Sequence, residues 1–339
     1  MEKRLTTFRR MALITLALTL LLIFVGGFVR ATGSGLGCPD WPKCWGCWWP
    51  PNTLDKVDLP SVLEEFRDKR PDLGEEDLIR LFNPTHLWIE YYNRLLGVLV
   101  GFAILLTLIL SIRLRKDRPR LFWGSLVAFL FVGFQGWLGG VVVKSKLMPG
   151  MISLHLICAI ILFCLLIAIA MGACKIWPNL GFGMAPGVHR QVRFFAIVFF
   201  IAASIQVVLG AQVREAIDVA VHHARDAGEV LPRTLWVEAA GLVHKFHRSF
   251  AWVLVVSALG IIVPVLRSGV SGWRRVVPIG TALVLLGQMI TGITLDRYGM
   301  PPGSQIFHLG LGCSAVCLGF FLVLALRRHG VEPLIADRS

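Results

Sequence analysis

The sequence predicts an all-α, polytopic membrane protein whose eight transmembrane helices form two parallel-repeat four-helix bundles. Three observations support this: eight apolar stretches long enough to cross a bilayer, basic clusters confined to alternate connections, and a set of Gln, Gly, Pro-Gly and His residues that recurs at one spacing in the two halves. Of the 339 residues, 55% are hydrophobic and only 16% charged, where soluble domains carry about 25% charged residues. The mean hydropathy is +0.69.

A helix rises about 1.5 Å per residue, so a hydrocarbon core of about 30 Å needs roughly 20 mostly apolar residues. The first stretch, 11–29, follows Lys3, Arg4, Arg9 and Arg10. The second (86–112) and third (121–143) are joined through Arg113, Arg115, Lys116, Arg118 and Arg120. Lys175, Arg190 and Arg193 flank the connection between the fourth (150–173) and fifth (193–213). Arg267, Arg274 and Arg275 lie between the sixth (240–266) and seventh (275–294), and Arg327 and Arg328 follow the eighth (304–326). Several spans contain Gly, Gln or His, which suits bundle helices rather than lone anchors.

Eight crossings place all these cations on one side, and the positive-inside rule makes that side the cytoplasm, with both termini there. The formal net charge of +13 is thus a topology signal. Membrane lipid, not nucleic acid, is the expected surrounding. The first outer loop, about 30–85, holds ten acidic and seven basic residues and is translocated. Within it, 61–82 reads as one or two short amphipathic helices broken near Pro71, lying on the outer membrane surface. The first apolar run lacks a small-residue cleavage pattern and reads as a retained span; no Arg- and Ser-rich presequence precedes it, which favours a bacterial plasma (inner) membrane.

The recurrence defines two halves, 1–175 and 190–330. Gln135 to His155 spans twenty residues, as does Gln288 to His308. Gly139 matches Gly292, Pro149-Gly150 matches Pro302-Gly303, and His155-Leu156 matches His308-Leu309. Glu90-Tyr-Tyr-Asn93-Arg94 aligns with His244-Lys-Phe-His247-Arg248, and Gly26 to Arg30 (GGFVR) with Gly210 to Arg214 (GAQVR). Four spans per copy is an even number, so the copies enter from the same side and are expected to be related by an axis along the membrane normal. Equivalent residues then sit at equal depth.

Ionisable groups inside spans are costly to bury, and each is a functional candidate. His155 and His308 fall about a turn and a half inside the outer ends of spans four and eight; His247 falls about two turns inside span six. Two imidazoles on facing helices can hold a haem iron from both sides. Zinc would need a third and fourth ligand, and none stands at usable spacing. His244, one turn before His247, either orients it or lines the same pocket. His222 and His223 are expected in a solvated outer loop, and His189 and His329 among cytoplasmic basic residues. Arg94 and Arg248, like Arg30 and Arg214 at the ends of spans one and five, fit either haem propionates or snorkelling to lipid headgroups.

Arg30 to Cys44 (RATGSGLGCPDWPKC), Glu90 to Arg94, the Gln135 to His155 run and the His247/His308 pair together resemble the bacterial and mitochondrial haem A synthases, over all eight spans. The resemblance implies an oxidoreductase whose carboxyl-terminal half holds haem b through His247 and His308. Its amino-terminal half receives haem o and oxidises a ring methyl to formyl, giving haem A for terminal oxidase assembly. It implies a catalytic role for Glu90, which shares a helical face with Asn93. It implies a disulfide between Cys38 and Cys44, on the side where disulfides persist. Haem O synthase and oxidase assembly factors are the implied protein partners, and a homo-oligomer is left open.

Two departures stand out. Many members of that family carry His where this chain has Asn93, and an amide is a poor iron ligand. Ligation of the substrate haem iron then rests on His155, with the sixth position open for oxygen activation or filled by His86 from two turns above. Cys47 adds a Cys44-Trp-Gly-Cys47 spacing, so spacing alone leaves pairing among the three cysteines open. Cys158, Cys164, Cys174, Cys313 and Cys317 lie in or near spans as packing residues. The competing functions are a non-catalytic haem b electron carrier and, third, a transporter.

Overall fold

A computed structural model describes residues 2–38, 40–67, 74–145, 148, 150–174 and 184–327. Pro71, Pro149, Lys175, Arg328 and His329, and the ends 175 and 330 of the expected halves, lie outside the described residues. Eight of the described helices are long and apolar enough to cross a membrane. They are α1 (Glu2–Thr32), α2 (Pro84–Ile112), α3 (Pro119–Lys144), α4 (Met151–Gly172), α5 (Pro186–Asp226), α6 (Gly241–Arg267), α7 (Trp273–Arg297) and α8 (Pro302–Ala325). The chain divides into two compact units, Met1–Ile169 and Ala170–Ser339.

Helix starts follow local chemistry. Pro occupies the first turn of α2, α3, α5 and α8, where its missing N–H is no loss. Asn83 caps α2, its side chain accepting from the amides of Thr85 at 3.1 Å and His86 at 3.3 Å. Many large apolar side chains point outward, among them Leu13, Phe102, Trp123, Trp252 and Ile290. That pattern suits helices solvated by lipid tails, where association relies on close packing and polar contacts rather than on apolar burial. In the first unit α1 packs on α2 and α2 on α3. The hydroxyls of Thr15 and Thr107 meet at 3.0 Å across α1 and α2. In the second unit α5 packs on α6 and α8, and α7 on both, closing a four-helix ring.

The expected end of the fifth span at 213 is corrected: α5 continues to Asp226, 41 residues in all. At about 1.5 Å per residue this is twice the thickness of a hydrocarbon core. No Gly or Pro interrupts 211–227, and Gly228, with φ 78°, follows the end. Val213 and Ile217, one turn apart, bury against Ala240, Leu295 and Met300, which holds the extension in place. His222 and His223 therefore stand on a helix and not in a loop.

The described part of the segment between α1 and α2, the outer segment of the expected topology, packs against α2. Helices Leu59–Arg67 and Glu75–Leu81 are the two short helices expected over about 61–82. Val62 of the first buries in a cluster with Cys38, Cys44, Trp45, Leu87 and Tyr91, so the segment packs onto the top of α2. Gly37 is required there: a Cβ on it would lie 2.5 Å from the carbonyl oxygen of His86.

Candidate functional site

In the second unit, α6 carries His247 and α8 carries His308, with ring centroids 6.0 Å apart and planes at 69°. Glycines on the neighbouring helices make room for both rings. A Cβ at Gly210 would meet His247 Cε1 at 3.2 Å, and one at Gly292 would meet His308 Cε1 at 3.1 Å. His308 Nδ1 lies 3.1 Å from the Gln288 carbonyl oxygen and 3.1 Å from the Thr291 hydroxyl. The Gln288 amide nitrogen stands 3.4 Å from His308 Nε2. His247 Nδ1 is buried with no hydrogen-bond partner, while its backbone carbonyl accepts from Gln206 Nε2 at 2.8 Å.

His244 reaches α7: its Nε2 is 3.4 Å from Asp296 Oδ1. Arg248 reaches the other oxygen of Asp296 at 3.7 Å, with its side chain 68% exposed. Arg214 in the C-terminal part of α5 pairs with Asp218 at 3.1 Å and donates to Gln305 at 3.3 Å, and its guanidinium lies 5.4 Å from the centre of the Trp236 ring.

In the first unit, His155 on α4 keeps Nδ1 buried without a partner, and its carbonyl accepts from Gln135 Nε2 at 3.1 Å. A Cβ at Gly139 would lie 3.4 Å from its Cε1. Asn93 on α2 likewise has a buried, unpartnered Oδ1. Gly26, the counterpart of Gly210, has nothing within 4 Å of its Cβ position, whereas Gly210 abuts the His247 ring. His86 occupies the first turn of α2, beneath its Asn83 cap.

Glu90 is only 3% exposed. Its Oε2 accepts from the Cys38 amide at 2.8 Å, and its Oε1 forms an ion pair with Arg94. The Arg94 guanidinium donates further to the carbonyls of Asp40 at 2.8 Å, Lys43 at 2.9 Å and Cys38 at 2.9 Å. Cys38 and Cys44 are disulfide-bonded, with Cα atoms 4.7 Å apart, and Cys47 is a free thiol. Asp40 accepts from the amides of Trp45 at 2.6 Å and Gly46 at 2.9 Å. The outer segment is thus fastened to α2 by one carboxylate and one guanidinium, which share a helix face four residues apart.

The structure brings His247 to His308, and Glu90 to Arg94 and the disulfide loop. It pairs His244 and Arg248 with Asp296, a residue the spacing arguments passed over. Thr291 was missed as well; aligning the two halves position by position would have exposed it opposite Leu138. The fastening by Arg94 was hidden, because the carbonyls it binds carry no side-chain signature. Among the described residues no three His, Cys, Asp or Glu side chains gather closely enough to hold a bare metal ion. The His247/His308 pair brings two imidazole rings together with no third such side chain beside them among the described residues.

Comparison with known proteins adds the following. A family model described as cytochrome oxidase assembly protein, COX15-CtaA, matches residues 9–321. Curated relatives include the haem A synthase of Methylobacterium radiotolerans, 27% identical across 99% of this chain and 95% of that protein. The haem A synthase of Caulobacter vibrioides is 27% identical, covering 87% of this chain and 89% of its own length. That of Shewanella oneidensis is 31% identical over 42% of this chain and 39% of its own.

Proposed function

Because the chain belongs to the COX15-CtaA family of cytochrome oxidase assembly proteins, we propose that it is a haem A synthase, an oxidoreductase that converts a ring methyl of haem o to the formyl group of haem A. The reading places it in a bacterial plasma membrane with both termini cytoplasmic, as the distribution of basic residues supports. Haem O synthase supplies its substrate, and the factors that assemble the terminal oxidase take its product.

The observation that carries this reading is the His247/His308 pair. Two metal–nitrogen bonds of about 2 Å, plus about 1 Å from each nitrogen to its ring centre, span roughly the 6.0 Å that separates the two rings. The residues present therefore fit a haem b, which His247 of α6 and His308 of α8 would hold. When bound, that haem supplies one-electron transfer within the protein. Arg248, exposed at the outer end of α6, is the cation best placed for a propionate, and Asp296 orients both it and His244.

In the first unit His155 offers a nitrogen to the substrate haem iron. Asn93 keeps the space opposite open, because a short amide replaces the imidazole of the other half. Glu90 is the one carboxylate of α2, and in this reading it stands by the reacting edge, where it would take up protons lost as an oxidant such as dioxygen accepts the electrons of the methyl carbon. Arg94 and the Cys38 amide hold that carboxylate in one rotamer, and Arg94 serves the loop rather than a propionate. Co-expression with a haem O source and pigment extraction tests the proposal. Formyl haem in the extract supports the enzyme; bound haem b without formyl haem would show a membrane electron carrier instead.

A further inference from the structure

The two halves place a histidine twenty residues after a glutamine, yet they hold the two rings differently. In the second unit His308 Nδ1 faces two oxygens, the Gln288 carbonyl and the Thr291 hydroxyl, each at 3.1 Å. A carbonyl oxygen only accepts, so the ring proton sits on Nδ1. The Thr291 hydroxyl gives its own hydrogen to the Gly287 carbonyl at 2.9 Å or that of Gln288 at 3.0 Å. Its lone pairs are then free to accept from the same Nδ1–H. Nε2 is left bare, and the Gln288 amide 3.4 Å away can donate to its lone pair. Tautomer and ring orientation are both set before any metal arrives.

In the first unit the position of Thr291 is taken by Leu138, which likewise follows its glutamine by three residues and precedes its glycine by one. Leu138 is 2% exposed and brings neither donor nor acceptor. His155 Nδ1 is buried with no partner, and the Gln135 amide addresses the His155 carbonyl instead of the ring. The backbone frame is otherwise alike: Gly139 faces His155 as Gly292 faces His308. Two contacts separate an anchored imidazole from an unanchored one: the Thr291 hydroxyl, which Leu138 cannot replace, and the Gln288 carbonyl, whose counterpart at Gln135 does not reach His155 Nδ1.

We propose that Thr291 is a positioning residue that makes His308 a lasting haem ligand, and that Leu138 at the equivalent position leaves His155 a ligand that releases its haem. The two positions decide which half retains haem and which exchanges it. This rests on the reading of His308 and His155 as haem ligands. An N–H···O bond at the far ring nitrogen makes the metal-facing nitrogen more basic, and losing such a partner typically lowers metal affinity about 10–100-fold. A resident redox haem gains from that hold. A product that must leave for the oxidase is served by its absence.

The test uses the full chain, co-expressed with a haem O source and purified in lipid nanodiscs, with excess apomyoglobin as haem acceptor. Thr291→Val keeps the shape of the side chain and removes the hydroxyl. Because the Gln288 carbonyl still accepts from Nδ1–H, it is expected to speed haem b loss about 10-fold, the low end of the range for losing such a partner, and to raise the haem b reduction potential, since a less basic ligand stabilises the ferric state less. Thr291→Ser should restore both. Leu138→Thr, in the other half, should slow the loss of haem o and haem A by a similar factor while leaving the haem b potential unchanged. A Thr291→Val protein with wild-type potential and wild-type haem loss would overturn the inference, provided His308→Ala abolishes the low-spin spectrum. If Thr291→Val does not fold, Leu138→Thr decides: unchanged retention of haem o and haem A overturns the proposal. A low-spin spectrum that survives His308→Ala would instead refute the ligand reading beneath it.

Discussion

Replacing Arg94 by methionine isolates the fastening between α2 and the outer segment. The guanidinium is 13% exposed and the Glu90 carboxylate 4%, so neither is well screened by water. Arg94→Met leaves the Glu90 charge without its cation and three carbonyls, of Cys38, Asp40 and Lys43, without their donor. Hydrogen bonds to a charged group contribute about 1.5–3 kcal/mol each, but they share one guanidinium and do not simply add. Removing one partner of a buried pair costs about 3–5 kcal/mol. That loss falls on the local stability of the segment, because the spans remain packed without it. Cys38 and Cys44 are both fully buried, so a soluble reductant reaches their disulfide only when the segment opens. A loss of about 3 kcal/mol raises the open population about a hundredfold, and the rate of reduction by dithiothreitol should rise by the same factor. Arg94→Lys keeps a charge for Glu90 but not the planar fork, and should fall in between. Thiol alkylation followed by mass spectrometry reads the rates. A wild-type rate in Arg94→Met would refute the claim that this residue fastens the segment.

Four further outcomes are expected. His247→Ala and His308→Ala should each abolish a low-spin haem b spectrum; its survival in both would remove the pair as axial ligands. His155→Ala and Glu90→Gln should lose haem A in the pigment extract and keep the haem b spectrum, while Asn93→Ala stays mild; full haem A production by Glu90→Gln would take the carboxylate out of the chemistry. Gly210→Ala puts a Cβ 3.2 Å from the His247 ring and should shift the haem b spectrum and destabilise by about 1 kcal/mol, whereas Gly26→Ala, with open space at the equivalent position, should leave the spectrum alone; identical spectra for the two variants would contradict the ring contact. Non-reducing peptide mapping should return a Cys38–Cys44 bridge and an alkylated Cys47, and a Cys44–Cys47 bridge would contradict the pairing seen here.

Glu90 shows how the sequence reading and the structure divide the work. Its place on α2, one turn from Asn93, follows from a periodicity of 3.6 residues and needed no coordinates. That the same carboxylate holds the Cys38 amide could not be read, because the bond joins positions 52 apart in the chain. Glu90 and Arg94 therefore carry a structural task beside any chemical one, and Arg94→Met is the control that separates them. Loss of haem A in that variant with Glu90 present would mean that placement of the carboxylate, not only its presence, matters.

The sequence by itself determined the eight spans and the two copies of the Gln-Gly-His pattern. Each depends on local composition or on a short fixed spacing, and the bilayer, by excluding unpaired backbone polar groups, leaves a helix as the only form such stretches can take. Tertiary structure decided what spacing cannot encode: the 13 residues by which α5 outruns its expected end, held by Val213 and Ile217 against Leu295 and Met300; the bridge chosen among three cysteines; and the pairing of His244 with Asp296. It also decided that His308 Nδ1 meets the Thr291 hydroxyl and the Gln288 carbonyl while His155 Nδ1 meets no partner. Contacts between helices depend on the rotation of each helix about its axis, and that rotation is set by packing among all its neighbours at once.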